Sequence, residues 1–182
     1  MVGSKHMDKK ELMILSQFRR NARENLTTAS RKIHIPISTI YDRLRRYEGS
    51  VITKHTSLID FGKLGYCLKI QMVLKVHPKD RRPLQEFLSK HVRVNSLFTI
   101  SNGFDFMIEV ILRNLLEVSQ FLESLEQFNI LDRHEFYVIQ DIKREDFLTD
   151  VDMLDSGFAT EEIAPINDGV KPVQEFYRPA GV

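Results

Sequence analysis

The sequence predicts an α+β protein, a helical N-terminal unit joined by a strand linker to a βαββαβ domain. Three observations lead there. Apolar residues recur at helical spacing in three successive segments of the first fifty residues. From about residue 66 to 142, strand-like and helix-like stretches follow one another in the order β-α-β-β-α-β. Between the two middle strands stands Asn102-Gly103, a pair that tolerates positive φ at both positions and so marks a hairpin.

Asp8 is a good N-cap with Glu11 three residues on, and Leu12, Leu15 and Phe18 then lie on one face, predicting a first helix over residues 9–20. Asn25 opens a short second helix over residues 26–32, with Ala29 and Ile33 inward and His34-Ile35 as the turn. The next stretch, I-P-I-S-T-I-Y-D-R-L-R-R-Y-E over residues 35–48, carries two unlike surfaces. Ile37, Ile40, Leu44 and Tyr47 form an apolar stripe, and Ser38, Thr39, Asp42, Arg43, Arg45 and Arg46 form a polar one. Pro36 suits the first helical turn, where its missing N–H costs nothing, and the late arginines suit the helix C-terminus. Three helices in some forty residues, the last two joined by a short turn, predict a helix-turn-helix domain over residues 1–50.

Residues 50–60 are rich in β-branched side chains and read as a strand, so residues 51–65 form the linker, closed by F-G-K-L-G. Alternation over residues 66–76 predicts the first strand of the second domain. Asp80 then caps a helix to about residue 91, with Leu84, Phe87 and Leu88 inward. Strands follow over 94–101 and 105–113, a helix over 114–128 with Leu115, Val118, Leu122 and Leu125 inward, and a strand over 130–142. This order is the ferredoxin-like one, four antiparallel strands with both helices on one face, over residues 66–145. Phe98, Phe104, Phe106, Phe136 and Tyr137 cannot all lie beneath two helices. The uncovered sheet face therefore predicts a homodimer, sheet against sheet.

Charge is unevenly spread beneath a net of +1. Residues 1–60 hold 12 Lys and Arg against 6 Asp and Glu, residues 61–149 are balanced at 12 and 12, and residues 150–182 hold 2 against 7. A basic N-terminal third places polyanion binding there. In groove docking, residues early in the second helix of the motif reach base edges, and flanking cations hold phosphates. Ser38, Thr39 and Asp42, with Tyr41 beside them, are the candidates for bases; Arg31, Lys32, Arg45 and Arg46 are those for phosphates; Arg43 suits either role. Asp42 either accepts from a cytosine amino group or orients Arg45 or Arg46. Double-stranded DNA is therefore the expected partner, against the plainer reading of an amphipathic surface helix with a solvated basic face. No apolar run is long enough to span a membrane, no signal-peptide pattern stands at the start, and Cys67 is the lone cysteine, so a cytoplasmic protein is expected. No metal spacing, phosphate loop or nucleophile elbow is present, and neither a cofactor nor an enzyme is expected.

These residues resemble the Lrp/AsnC family of transcriptional regulators over residues 7–143. The pieces are M-D-K-K-E-L-M-I-L, S-T-I-Y-D-R-L-R-R-Y-E, S-V-I-T-K-H into D-F-G-K-L-G-Y, and N-G-F-D-F-M, in that order and at family spacing. The resemblance implies regulation by DNA binding, dimers that assemble further into octamers or other forms, and an amino-acid effector bound between dimers. It maps effector binding to Asn102, Gly103 and Asp105 of the hairpin. On the last strand the family often has small hydroxyl residues, and here Arg133 and Glu135 stand instead. They would shrink the pocket, fill it by pairing with Asp105, select a different effector, or make subunit-interface ion pairs. Three departures touch the DNA unit. Ser30 replaces a usual alanine, His34 the usual turn glycine, and Pro36 the usual capping serine.

Siroheme decarboxylases share this architecture, so an enzyme reading leans on His134 and Arg133, and an architectural DNA-binding protein is a further alternative. Residues 146–182 form an acidic extension outside the resemblance. Phe147, Leu148, Val151 and Leu154 suit a short helix over 144–155, and the proline-rich remainder reads as an extended tail. Disorder, packing across a neighbouring subunit through Phe176 and Tyr177, and competition with DNA for the basic third are its three readings.

Overall fold

The structure, a computed structural model, describes residues 7–150. Within them the chain divides into two units. One takes the chain up to Ser57 and again from Lys143, and the other is Leu58–Ile142.

The helical unit holds α1 (Lys9–Arg20), α2 (Leu26–Ile33) and α3 (Ile37–Tyr47). Asp8 caps α1 by accepting from the Glu11 N–H at 2.7 Å, and the Glu11 carboxylate accepts from the Asp8 N–H at 3.1 Å. Asn25 caps α2 through the Thr28 N–H at 2.8 Å. His34 takes the left-handed conformation, φ 54° and ψ 39°, that the turn between α2 and α3 demands. Pro36 precedes α3 without a side-chain cap. The core is Ile14, Leu15, Ala29, Ile33, Ile35, Ile40 and Tyr47. Two inward assignments change. Ile14 rather than Leu12 is buried on α1, and Ile37 is 43% exposed because Ile35 in the turn fills that end of the core.

The strand expected over residues 50–60 is absent. The Ser50 and Ile52 N–H groups return to the Tyr47 carbonyl at 3.0 and 2.9 Å, making a tight turn, and residues 53–60 are exposed and irregular. β-Branched composition alone does not make a strand where no neighbour among the described residues of the chain takes up the backbone groups. A 3₁₀ turn at Gly62–Leu64 follows, ended by Gly65 at φ 84°.

The second unit contains β1 (Leu68–Val76), α4 (Arg81–Lys90), β2 (Val94–Thr99), β3 (Phe106–Leu112), α5 (Leu115–Leu125) and β4 (Ile130–Tyr137). The sheet order is β2-β3-β1-β4, antiparallel throughout. Alternation on β1 sends Ile70, Met72, Leu74 and Val76 inward, and they pack with Ile108, Val110, Leu84, Leu88, Val118, Phe121 and Leu125. Leu115, expected inward, is 69% exposed. It is the first residue of α5 after the Asn114 cap, and the inward stripe is Val118, Phe121 and Leu125. Asp80 does not cap α4; its carboxylate accepts from the Asn129 N–H at 3.2 Å. β4 stops at Tyr137 rather than continuing to 142. β1 begins at Leu68, and the Val138 N–H to Lys69 carbonyl bond comes last on that side of the ladder.

Register sorts the aromatic residues between the faces. Phe106 lies in the helix-covered core, and Tyr137 shares that side opposite Ile70, half exposed at the edge. On the other face Phe98 lies opposite Met107 and Phe136 opposite Gln71, both half exposed, while His134 lies opposite Val73 and meets the Phe104 ring edge-on at 5.4 Å.

The helix expected over 144–155 is not formed within the described residues: Glu145 and Leu148 have φ of 51° and 61°, which break a right-handed helix. Instead Leu148 packs on the helical core, and Arg19 donates to the Phe147 carbonyl and to the Glu145 carboxylate at 2.9 Å. The remainder of the expected helix and the tail lie outside the described residues.

Candidate nucleic-acid interface

The α3 helix is held by Ile40, Leu44 and Tyr47 against α1 and α2, which turns the opposite side outward. Ser38, Thr39, Tyr41, Asp42, Arg45 and Arg46 are exposed there, and Arg31 and Lys32 are exposed on the last turn of α2. Local contacts order this surface. The Arg45 guanidinium lies over the Tyr41 ring at 5.8 Å, and the Arg46 Nε donates to the Asp42 carbonyl at 3.3 Å. Asp42 thus meets Arg46 through its backbone, and the residue is exposed.

Two cations of the sequence reading have other partners. Arg43 is turned inward onto the Glu11 carboxylate, with side-chain exposures of 24% and 7%. Glu11 also closes the α1 cap, so one buried carboxylate ties the start of α1 to the middle of α3. Lys32 pairs with Glu24, and that hydrogen bond, together with one from Gln17, holds the Glu24 carboxyl below its ordinary range. Lys32 remains more than half exposed, whereas the Glu24 side chain is 7% exposed, so Lys32 reaches a phosphate by leaving that carboxylate to its Gln17 hydrogen bond. Burial raises the Tyr47 phenol, whose hydroxyl has no hydrogen-bond partner among the described residues.

The exposed Ile37 was missed as a surface residue. With Tyr41 one turn later it gives the start of α3 an apolar edge beside Ser38 and Asp42. The signal available was Ile35, a second apolar residue two positions earlier competing for the same place in the core.

At the hairpin, Asn102 and Gly103 both have positive φ, 69° and 93°, and lie exposed at the tip. Asp105 is buried and engaged: it accepts from the Val76 N–H at 2.9 Å and pairs with Arg81 at 2.6 Å. Arg133 pairs with Glu135 at 2.9 Å. Within one chain, then, Arg133 and Glu135 pair with each other and Asp105 with Arg81. Arg133 lies opposite Leu74 on β4, Asp105 bonds the Leu74 carbonyl from the β3 side, and β1 separates them by about two strand spacings, ~10 Å. Among the described residues no three His, Cys, Asp or Glu side chains come together as a metal site, and no helix is long and apolar enough to cross a membrane.

No family model matches the chain. An uncharacterised helix-turn-helix-type transcriptional regulator of Pyrococcus horikoshii is 23% identical over 142 residues, covering 78% of this chain and 94% of the relative. Among solved structures, LrpC of Bacillus subtilis superposes with a TM-score of 0.70 at 17% identity, covering 76% of this chain and 99% of LrpC. A transcriptional regulator of Neisseria meningitidis in complex with L-Met also gives 0.70, at 19% identity, covering 76% and 93%. The chain is thus similar over most of its length to helix-turn-helix-type transcriptional regulators, and it shares the fold of LrpC and AsnC.

Proposed function

We propose that the protein regulates transcription by laying α3 into the major groove of duplex DNA. Ser38, Thr39, Tyr41 and Asp42 then face base edges, and Arg31, Lys32, Arg45 and Arg46 hold phosphates. The observation that carries this is the side of α3 opposite Ile40, Leu44 and Tyr47, where hydroxyls, a carboxylate and two arginines stand exposed together. Arg43 leaves the reading set because its charge is committed to Glu11.

The protein acts as a homodimer through the open sheet face, which sets two copies of α3 against a two-fold site and can assemble further. Phe98, Met107, Val73 and Phe136 on that face support this. Effector control by an amino acid is supported by the exposed Asn102-Gly103 backbone and by the L-Met complex of the Neisseria regulator. Here the ammonium group of such a ligand must compete with Arg81 for Asp105, or meet Glu135 in place of Arg133.

Selection of bound fragments from genomic DNA, followed by affinity measurement on a selected and a shuffled duplex across salt concentrations, tests the reading. Arg45→Ala is expected to weaken both duplexes about equally and to lower the salt slope by about 1. Thr39→Ala is expected to cost about 1–3 kcal/mol on the selected duplex only. Binding with no preference at any salt concentration contradicts the proposal.

A further inference from the structure

The chain returns to the helical unit after the sheet. Residues 143–150 belong to that unit; Arg19 on α1 grips the Glu145 carboxylate and the Phe147 carbonyl, and Leu148 packs, partly buried, against the helical core. Lys143 and Asp146 brace the turn at 2.8 Å. The acidic end of the chain therefore starts from the surface of the three-helix unit that carries the basic face.

Residues 151–182 hold six carboxylates, Asp152, Asp155, Glu161, Glu162, Asp168 and Glu175, against Lys171 and Arg178. Thirty-two residues span at most ~110 Å, whereas α1, the longest helix of the unit at 12 residues, is only ~18 Å long. Every point on the helical unit is within reach, and tethering raises the local concentration of these carboxylates to the order of mM. The complementary charges on the helical unit are the exposed Arg31, Arg45 and Arg46, a set suited to phosphate oxygens and equally to carboxylates.

We propose that residues 151–182, moored by the Arg19–Glu145 clasp, occupy the basic face of α3 and compete with DNA for it. This rests on the reading of α3 as the DNA-binding surface. The occupancy is electrostatic, and salt weakens it as it weakens DNA binding.

The test uses the full chain. A nitroxide is placed at residue 156 through Ser156→Cys in a Cys67→Ser background, and backbone amide signals are recorded. The expected result is broadening of residues 38–46 above that of the sheet unit at low salt, reversed by 0.5 M NaCl and by a duplex oligonucleotide. In parallel, the full chain carrying D152N, D155N, E161Q, E162Q, D168N and E175Q is expected to lose the broadening and to bind duplex about tenfold more tightly at low salt. Absence of broadening at α3, or broadening that DNA does not reverse, overturns the proposal, even where the neutralised chain binds DNA more tightly through its changed net charge. Broadening at α3 in a protein that binds no duplex also overturns competition, and it places the failure in the DNA reading rather than in the docking of the acidic segment.

Discussion

Arg43→Ala separates a structural arginine from a DNA-contacting one. The guanidinium is the charged partner of Glu11, whose side chain is 7% exposed and also accepts from the Asp8 N–H. Removing one partner of a buried pair costs about 3–5 kcal/mol where both ions are fully buried. Arg43 retains 24% exposure, so water reaches the site and Glu11 keeps its cap bond. A loss of about 2–3 kcal/mol follows, which for a unit of this size lowers the midpoint by roughly 10 °C or more. Urea and thermal melts followed by far-ultraviolet circular dichroism measure it. A double-mutant cycle with Glu11→Gln is expected to return a coupling of about 1–3 kcal/mol. Arg45→Ala, on the same helix but exposed, is expected to stay within about 0.5 kcal/mol of the parent. The reasoning fails if Arg43→Ala melts like the parent yet loses DNA affinity as Arg45→Ala does, because Arg43 would then serve phosphate and not Glu11.

Further outcomes follow from local environments. Burial, aided by Arg93, pushes the His91 imidazole below its ordinary 6.5, and its Nδ1 accepts from the Arg93 N–H at 3.2 Å. The folded state resists protonation, so stability is full above pH 6.5 and falls as the pH drops from there towards the lower folded value. Urea midpoints of His91→Asn are expected to fall less over that window than those of the parent, and parallel curves would contradict this. Tyr47→Phe deletes a buried hydroxyl without a partner and is expected to leave stability unchanged or raise it by up to about 1 kcal/mol; a loss above that in thermal melts would show that the hydroxyl is satisfied in solution. Gly103→Ala meets nothing within 4 Å, so its cost is the backbone at φ 93° alone, about 1–2 kcal/mol, whereas Asn102→Gly is expected to be near neutral. Equal effects of the two in urea melts would contradict the hairpin geometry.

What was legible in the sequence was local in origin. Asp8 and Asn25 cap helices through N–H groups three residues on, so their role is written in adjacent residues. The Asn102-Gly103 turn and the alternation of β1 are equally local. Long-range partners were not legible. Arg43 finds Glu11 and Asp105 finds Arg81 only after the chain has folded, and neither spacing announces the pair. The expected strand over residues 50–60 failed for the same cause: its β-branched residues say nothing about whether a second strand stands beside them. For α3, the polar residues that periodicity turned outward are exposed, apart from Arg43, while Ile37 escaped because Ile35 competes for its place.

The most direct measurement is a map of backbone amide shifts as a selected duplex is titrated into the protein. The account predicts that the largest changes fall on residues 31–46, led by Ser38, Thr39, Tyr41 and Arg45, with Arg43 signals following the helix but its Glu11 pairing intact. Changes concentrated on the open sheet face, around Phe98, Met107 and Phe136, with α3 unmoved, would contradict it.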